Sequence, residues 1–293
     1  MTDFIHKTLF VTGASGHLGR IAVEDLLARG ATRVIAGTRD PAKLADLAAK
    51  GVTVRALDFD APSTLAPAFE GVDRVLLVST DAVGRRGDQH KAAIDAIKAA
   101  GVSHLVYTSA PAARPDADAG LAPEHFWTEV AIAASGLDFT ILRNHMYAEN
   151  NLMTAAQTIA SGQLYGLLGD RGTAFVGRAD AARAAAGALL SAKGKTIADV
   201  TGPAAVSNVE LAALLARLSG KPVVSIPLSV DQLRGGMLAA GLPAPLVEIL
   251  LAFQRDATMG YHAIVTDTVA HYSGRQPATL EAVLAPVLAA PQD

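Results

Sequence analysis

Cysteine is missing altogether from the 293 residues. With it go disulfides, thiolate nucleophiles, iron–sulfur ligation and zinc–thiolate sites, and the chain is suited to a reducing compartment. Charge of one sign is missing too: 25 Lys and Arg stand against 28 Asp and Glu, a formal balance of -3. Without a basic excess there is little to hold a polyanion, so nucleic acid is not an expected partner. No apolar run approaches the roughly 18 residues of a membrane span. The charged start Met1-Thr2-Asp3-Phe4-Ile5-His6-Lys7 lacks the basic and apolar regions of a signal peptide. A soluble, cytoplasmic protein, monomer or homodimer, is expected. The eight histidines form no pair at helical ligand spacing, so no metal is expected. No Gly-x-Ser-x-Gly elbow supports a hydrolase, and no long repeat or low-complexity linker is present.

What is present begins at Leu9-Phe10-Val11-Thr12-Gly13-Ala14-Ser15-Gly16-His17-Leu18-Gly19. An apolar run breaks into three glycines and resumes as Ile21-Ala22-Val23-Glu24-Asp25-Leu26-Leu27, which reads as strand, tight turn and helix. One glycine lets the backbone reverse, another lets a pyrophosphate approach the main chain, and a third lets helix pack on strand. Free amides at the helix start face the anion. In this strand–helix context the G-x-x-G-x-x-G spacing predicts dinucleotide binding.

Strands are predicted at Thr8–Thr12, Arg33–Thr38, Thr53–Leu57, Arg74–Ser79, His104–Ser109 and Asp138–Leu142, alternating with alanine-rich helices. That alternation predicts an α/β fold, a doubly wound parallel sheet of Rossmann type. We expect a nucleotide-binding unit over residues 1–150 and a smaller, mainly helical substrate-covering part over 151–293, with 180–201 returning to the first unit. In the second part, Val230–Phe253 reads either as core or as a mobile apolar lid.

The second strand ends in Arg39, with Asp40 only beyond it. A carboxylate at this tip favours NADH, whereas an arginine favours the 2′-phosphate of NADPH. NADPH is therefore expected, with NADH weaker; a solvated helix-flanking charge is the competing reading of Arg39. Asp58 and Phe59, after strand three, are placed to touch the adenine, or else form an ordinary turn. Ser79-Thr80 and Thr108-Ser109 either line the ribose and nicotinamide side or cap the next helices. None of the five tyrosines is followed by lysine four residues on. The Tyr-x-x-x-Lys pair of ordinary short-chain dehydrogenases, whose lysine lowers the phenol pKa, is thus absent.

Six segments carry a resemblance: Gly13-Ala-Ser-Gly16-His-Leu-Gly19, Val83-Gly84-x-Arg86-x-x-Gln89-His90, Lys98-Ala-Ala-Gly-Val102, Tyr107-Thr108-Ser109, Glu124-His125-x-x-Thr128-Glu129 and Leu142-Arg143-Asn144-x-x-Tyr147-x-Glu149-Asn150. Together they resemble the NmrA-like atypical short-chain dehydrogenases, and within them the bacterial NADPH-dependent quinone oxidoreductase (type 2) and triphenylmethane reductase branches. The likeness is densest from residue 8 to 152. It implies a nucleotide touched by Thr12, Gly13, Ala14, Ser15, Gly16, His17, Leu18, Arg39, Asp58, Ser79, Thr80 and Asn144, and the glycine-turn and strand-end readings add Gly19, Phe59, Thr108 and Ser109 to the candidate cofactor-binding set.

His125 and Glu129 lie i, i+4 on one predicted helix, so the carboxylate is expected to fix the imidazole tautomer. By alignment with a functional lysine of related reductases, His125 is the candidate proton donor; a packing histidine is the alternative. Asn144 and Tyr147 complete the candidate catalytic set, and Phe126, Trp127 and Met146 are expected either to wall an aromatic site or to pack in the core. The resemblance implies hydride transfer from NADPH to a quinone or similar conjugated aromatic acceptor. A phenolate product is weakly basic, so a strong general acid is less necessary. The alternative it implies is a non-catalytic NADP(H) redox-sensing regulator of the NmrA type.

Overall fold

The computed structural model describes residues 3–115 and 121–289. Six strands alternate with helices as the apolar pattern predicts: β1 (Thr8–Val11), α1 (His17–Ala28), β2 (Arg33–Thr38), α2 (Ala45–Ala48), β3 (Thr53–Ala56), α3 (Leu65–Phe69), β4 (Arg74–Leu77), α4 (Arg86–Ala99), β5 (His104–Ser109), α5 (Ala122–Ser135) and β6 (Asp138–Asn144). The chain continues through α6 (Leu152–Ser161), β7 (Gln163–Leu167), α7 (Arg178–Ser191), β8 (Lys195–Val200), α8 (Asn208–Ser219), β9 (Val224–Leu228), α9 (Val230–Ala239), α10 (Ala244–Thr258), α11 (Thr268–Ser273) and α12 (Leu280–Leu288).

Seven strands form one parallel sheet in the order β3-β2-β1-β4-β5-β6-β8. Leu9, Phe10 and Val11 lie fully buried between β2 and β4, as near-continuous apolar runs require when both faces of a sheet are covered. One face carries α1, α7 and α11 residues, including Leu26, Ala185, Leu189 and Tyr272. On the other, Phe69, Ile94, Ile97 and Ile132 pack over Phe10, Leu77 and Tyr107.

Helix α7 is apolar nearly all round, with Ala181, Ala182, Ala184, Ala185, Ala186 and Ala188 buried. A helix of that composition belongs inside a core rather than on a surface. At Gly187 a Cβ would lie 1.9 Å from the Tyr272 carbonyl oxygen, so glycine there permits the backbone contact with α11. Beyond α7, β8 pairs with β6.

The remainder is mostly helical, around a two-stranded parallel sheet of β7 and β9. The strand β7 and helices α11 and α12 have no counterpart in the sequence reading. Of the apolar residues in 230–253, Leu233, Val247 and Leu251 are buried, with Met237 and Leu242 packed against them, while Leu238 and Leu246 are exposed. The segment thus serves as core for a satellite cluster. Among the described residues no helix is long and apolar enough to cross a membrane, and no group of three or more His, Cys, Asp or Glu could hold a metal ion.

Candidate active site

Strand order reverses at β1, between β2 and β4, and ligands of open α/β sheets bind outside the carboxyl ends of strands at such a point. A cleft of about 640 Å³ opens there, floored by Gly13, Ser15 to Gly19 and Val78, and flanked by Arg39, Asp58, Thr80 and Arg85.

The glycine turn divides its labour in a way the spacing alone does not show. Gly13 has φ +60 and reverses the chain, a conformation costly with a Cβ. At Gly19 a Cβ would stand 2.4 Å from the Gly13 carbonyl oxygen, so this glycine packs the helix on the turn. Gly16 has φ −86 and ψ 167, open to any residue, and its Cβ would meet only the Gly13 oxygen at 3.3 Å. It is the N-cap of α1, makes no side-chain cap and is followed by no acid in the first turn. The first amides of α1 thus lack side-chain acceptors and open toward the cleft, where the helix dipole favours an anion.

Eleven of the expected nucleotide residues line this cleft: Gly13, Ser15, Gly16, His17, Leu18, Gly19, Arg39, Asp58, Phe59, Ser79 and Thr80. Thr12, Ala14, Thr108, Ser109 and Asn144 do not, and the hydroxyls among them are occupied in the frame. Thr12 Oγ1 accepts from the Val78 amide at 2.9 Å, and Thr108 Oγ1 accepts from the Ser79 amide at 2.9 Å. Ser109 donates to Glu129 at 2.6 Å. Thr12 and Thr108 therefore shape the loop after β4, which holds Ser79 and Thr80 in the cleft wall.

At the other wall, Asp40 is turned away from a ribose role, because its carboxylate accepts from the Ala42 amide at 3.1 Å. Arg39 lines the cleft with Lys43 beside it. Sequence reasoning missed Lys43, although its place four residues beyond Arg39 in Arg39-Asp40-Pro41-Ala42-Lys43 was a usable signal. Also missed was the brace below the cleft: Asp60 accepts from Arg85 at 2.7 Å and Gln89 at 2.8 Å, and Gln89 accepts from Thr80 Oγ1 at 2.8 Å.

His125, Tyr147 and Asn144 lie away from the cleft lining. His125 is 3% exposed, and its Nδ1 meets the Tyr107 hydroxyl at 2.8 Å. The expected carboxylate partner is otherwise engaged: Glu129 takes a two-pronged hydrogen bond from Arg143 at 2.9 and 2.6 Å. This corrects the i, i+4 expectation, since a guanidinium from the neighbouring strand outcompetes a neutral imidazole for a carboxylate. Burial, with Arg86 and His90 adding to it, holds His125 well below the ordinary histidine pKa. It is thus neutral near pH 7 and has a hydrogen bond rather than an imidazolium proton to offer.

Asn144 donates from Nδ2 to the Tyr147 hydroxyl at 3.1 Å, while its buried Oδ1 has no partner. An unpaired buried acceptor costs about 1–3 kcal/mol, and here it sits at the carboxyl end of β6. Burial raises the pKa of the Tyr147 phenol, so it remains a neutral O–H. Arg178 stands over its ring at 5.2 Å. Of the expected aromatic wall, Trp127 is 58% exposed and stacks edge-on with Phe126, so Trp127 is not core.

Two quoted motifs meet in space. Arg86 on α4 pairs with Glu124 on α5 at 2.8 Å in a largely buried setting, and His90 Nδ1 meets Thr128 Oγ1 at 3.1 Å.

The fold has known counterparts. Residues 13–192 match the family model described as NAD(P)H-binding. Quinone oxidoreductase 2 of Escherichia coli is 39% identical over 253 residues, 85% of this chain and 88% of its own. A crystal structure of the NADPH-dependent quinone oxidoreductase from Escherichia coli complexed with NADPH superposes with a TM-score of 0.87 at 36% identity, covering 94% of this chain and 97% of that one. The NAD(P)H azoreductase of Xenophilus azovorans is 32% identical over 272 residues, 92% of this chain and 94% of its own. The Citrobacter triphenylmethane reductase complexed with NADP(H) aligns at TM-score 0.84 and 30% identity, over 94% of this chain and 98% of that chain. The chain belongs to the NAD(P)H-binding family.

Proposed function

We propose that this protein is an NADPH-dependent reductase that transfers hydride to a quinone or similar conjugated aromatic acceptor. The observation that carries the reading is the cleft at the strand-order reversal, with the uncapped start of α1 on its floor and the Arg39–Lys43 pair in its wall. The first suits a pyrophosphate and the second a 2′-phosphate, while Asp40 is withdrawn into its own turn. Among the relatives whose names state an acceptor, one at 33% identity reduces a (4-alkanoyl-5-oxo-2,5-dihydrofuran-3-yl)methyl phosphate, a small conjugated lactone, while others are named for quinones, azo compounds and triphenylmethane dyes. All are conjugated acceptors, and the last three are extended ones.

NADPH, when bound, supplies the hydride. The chain's own residues bind, orient and exclude water. Gly13 to Gly19 and Arg39, with Lys43, hold the phosphates. Ser79 and Thr80 border the ribose side. The orphaned Oδ1 of Asn144 suits an N–H or O–H donor at the reacting end, and the neutral donors His125 and Tyr147 fit an acceptor oxygen that becomes a weakly basic phenolate. The missing Tyr-x-x-x-Lys pair is then no handicap, because the demands are orientation and a dry site. We read residues 1–150, with 180–201, as the nucleotide unit and 151–293 as the part that covers the acceptor. We place the enzyme in the cytoplasm, as a monomer or homodimer without nucleic-acid partners.

The test is steady-state NADPH oxidation against a panel of quinones, azo dyes and triphenylmethane dyes. Turnover with at least one class, and with NADH much more weakly, is expected. Tight NADPH binding without turnover of any acceptor would return the chain to the redox-sensor reading.

A further inference from the structure

Between the nucleotide cleft and His125 runs a line of buried side chains that the proposed chemistry does not yet use. Thr80, in the cleft wall, donates its amide to His90 Nε2 at 3.2 Å. An amide can only donate, so His90 Nε2 is an acceptor, and in a neutral imidazole the proton then resides on Nδ1. His90 is neutral, because burial and the nearby Arg86 push its pKa down to about 3. Its Nδ1–H faces Thr128 Oγ1 at 3.1 Å, and the Thr128 hydroxyl spends its own proton on the Glu124 carbonyl at 2.8 Å.

The Tyr107 hydroxyl comes next. It lies 3.5 Å from His90 Nδ1 and 2.8 Å from His125 Nδ1, and its ring is fully buried between the two imidazoles, with centroids at 5.4 and 5.9 Å. It cannot give its proton to His90 Nδ1, which already carries one. Burial keeps the phenol protonated. Thr128 Oγ1 also borders the phenol but already faces the His90 Nδ1–H, so the imidazole nitrogen of His125 at 2.8 Å is the stronger acceptor for that proton. A neutral imidazole that accepts at Nδ1 carries its proton on Nε2. Among the described residues His125 Nε2 has no partner, yet it is not one of the sealed orphan atoms, which are Asn144 Oδ1, His145 Nδ1 and His262 Nε2.

We propose that Tyr107 is a positioning residue: by donating its hydroxyl proton to His125 Nδ1 it locks that imidazole in the Nε2–H tautomer, the form that offers a hydrogen bond to the acceptor oxygen. The inference rests on the reductase reading for the identity of the acceptor, but not for the tautomer. His90, with its own tautomer set by the Thr80 amide, withholds an acceptor from Tyr107 and so gives the hydroxyl its direction. No net proton passes along this line. His125 Nε2–H supports the oxyanion while charge develops, and the reduced acceptor takes its proton from water as it leaves the site.

The experiment is long-range ¹H–¹⁵N correlation on the full, uniformly labelled chain, with and without NADPH, His125 being assigned by its loss in His125→Gln. The wild type should show His125 protonated on Nε2 and unchanged from pH 6 to 8, and Tyr107→Phe should give a mixture of tautomers. Alongside, Tyr107→Phe should lower kcat by about three- to tenfold, the scale of one hydrogen bond, with NADPH affinity within about twofold. A wild-type His125 protonated on Nδ1 overturns the proposal whether or not the variant folds, as does an unchanged tautomer in folded Tyr107→Phe. A wild type that turns over no acceptor sinks the reductase reading, and the spectrum still decides the tautomer.

Discussion

The two ends of the proposed site are built on opposite principles. At the nucleotide end, the groups that matter are main-chain amides at the start of α1 and two cations in the cleft wall, Arg39 and Lys43. At the reacting end they are neutral, buried side chains, His125, Tyr107 and Asn144, each satisfied or left open by a neighbour from another element. The first arrangement is local in sequence. The second depends on burial, which holds imidazoles uncharged, and on packing that no single segment controls.

Acid offers the widest separation of the two. His90 is held down to about 3, His104 and His262 to about 4, and His125 well below its ordinary value, in each case chiefly by burial. These folded pKa values are depressed from 6.5, so the unfolded chain binds the additional protons. Their contribution to stability is full above pH 6.5 and is lost progressively as pH falls toward 4, at up to about 1.4 kcal/mol per pH unit for each histidine. Urea unfolding from pH 7.5 to 4.5 should show stability falling steeply below pH 6.5 with an uptake of several protons. Uptake of less than one proton would mean that the buried histidines are not held neutral.

Gly16→Val should act at the other end alone. Its backbone angles are ordinary and the nearest atom to a new Cβ is a carbonyl oxygen at 3.3 Å. The fold should survive with only a small loss of stability, while the branched side chain blocks the approach of the pyrophosphate and NADPH affinity falls by about a hundredfold or more. Calorimetric titration of a variant with native circular dichroism is the check; wild-type affinity would remove this turn from the nucleotide site.

Smaller, and sharper in what it separates, is Arg39→Ala. Loss of one charge-assisted contact to a 2′-phosphate should weaken NADPH about ten- to a hundredfold and hardly change NADH. Equal losses for both cofactors would make Arg39 a surface charge without a part in discrimination.

Much of the nucleotide end was legible because its signals are contiguous. Val11 to Gly19 carry strand, turn and helix within eleven residues of Leu9, and Arg39 follows its strand directly. Thr12 and Thr108, expected at the nucleotide, lie off the cleft lining, and their hydroxyls accept from the amides of Val78 and Ser79 across neighbouring strands. At the reacting end, helical spacing put His125 and Glu129 on one face, and this was true but insufficient. Arg143, on β6, claims the carboxylate, and Tyr107, on β5, claims the imidazole.

By itself, then, the chain of residues determined the alternation of strand and helix, the glycine turn and the charge that follows β2. These depend on backbone conformation and apolar period, both of which act over a few residues. Tertiary structure alone decided which carboxylates and imidazoles are partnered, and that the stretch expected to return to the first unit does so by pairing β8 with β6. Hydrogen-bond partners and pKa values are set by which groups share a desolvated space, and groups far apart in the chain come to share it only when the sheet has formed.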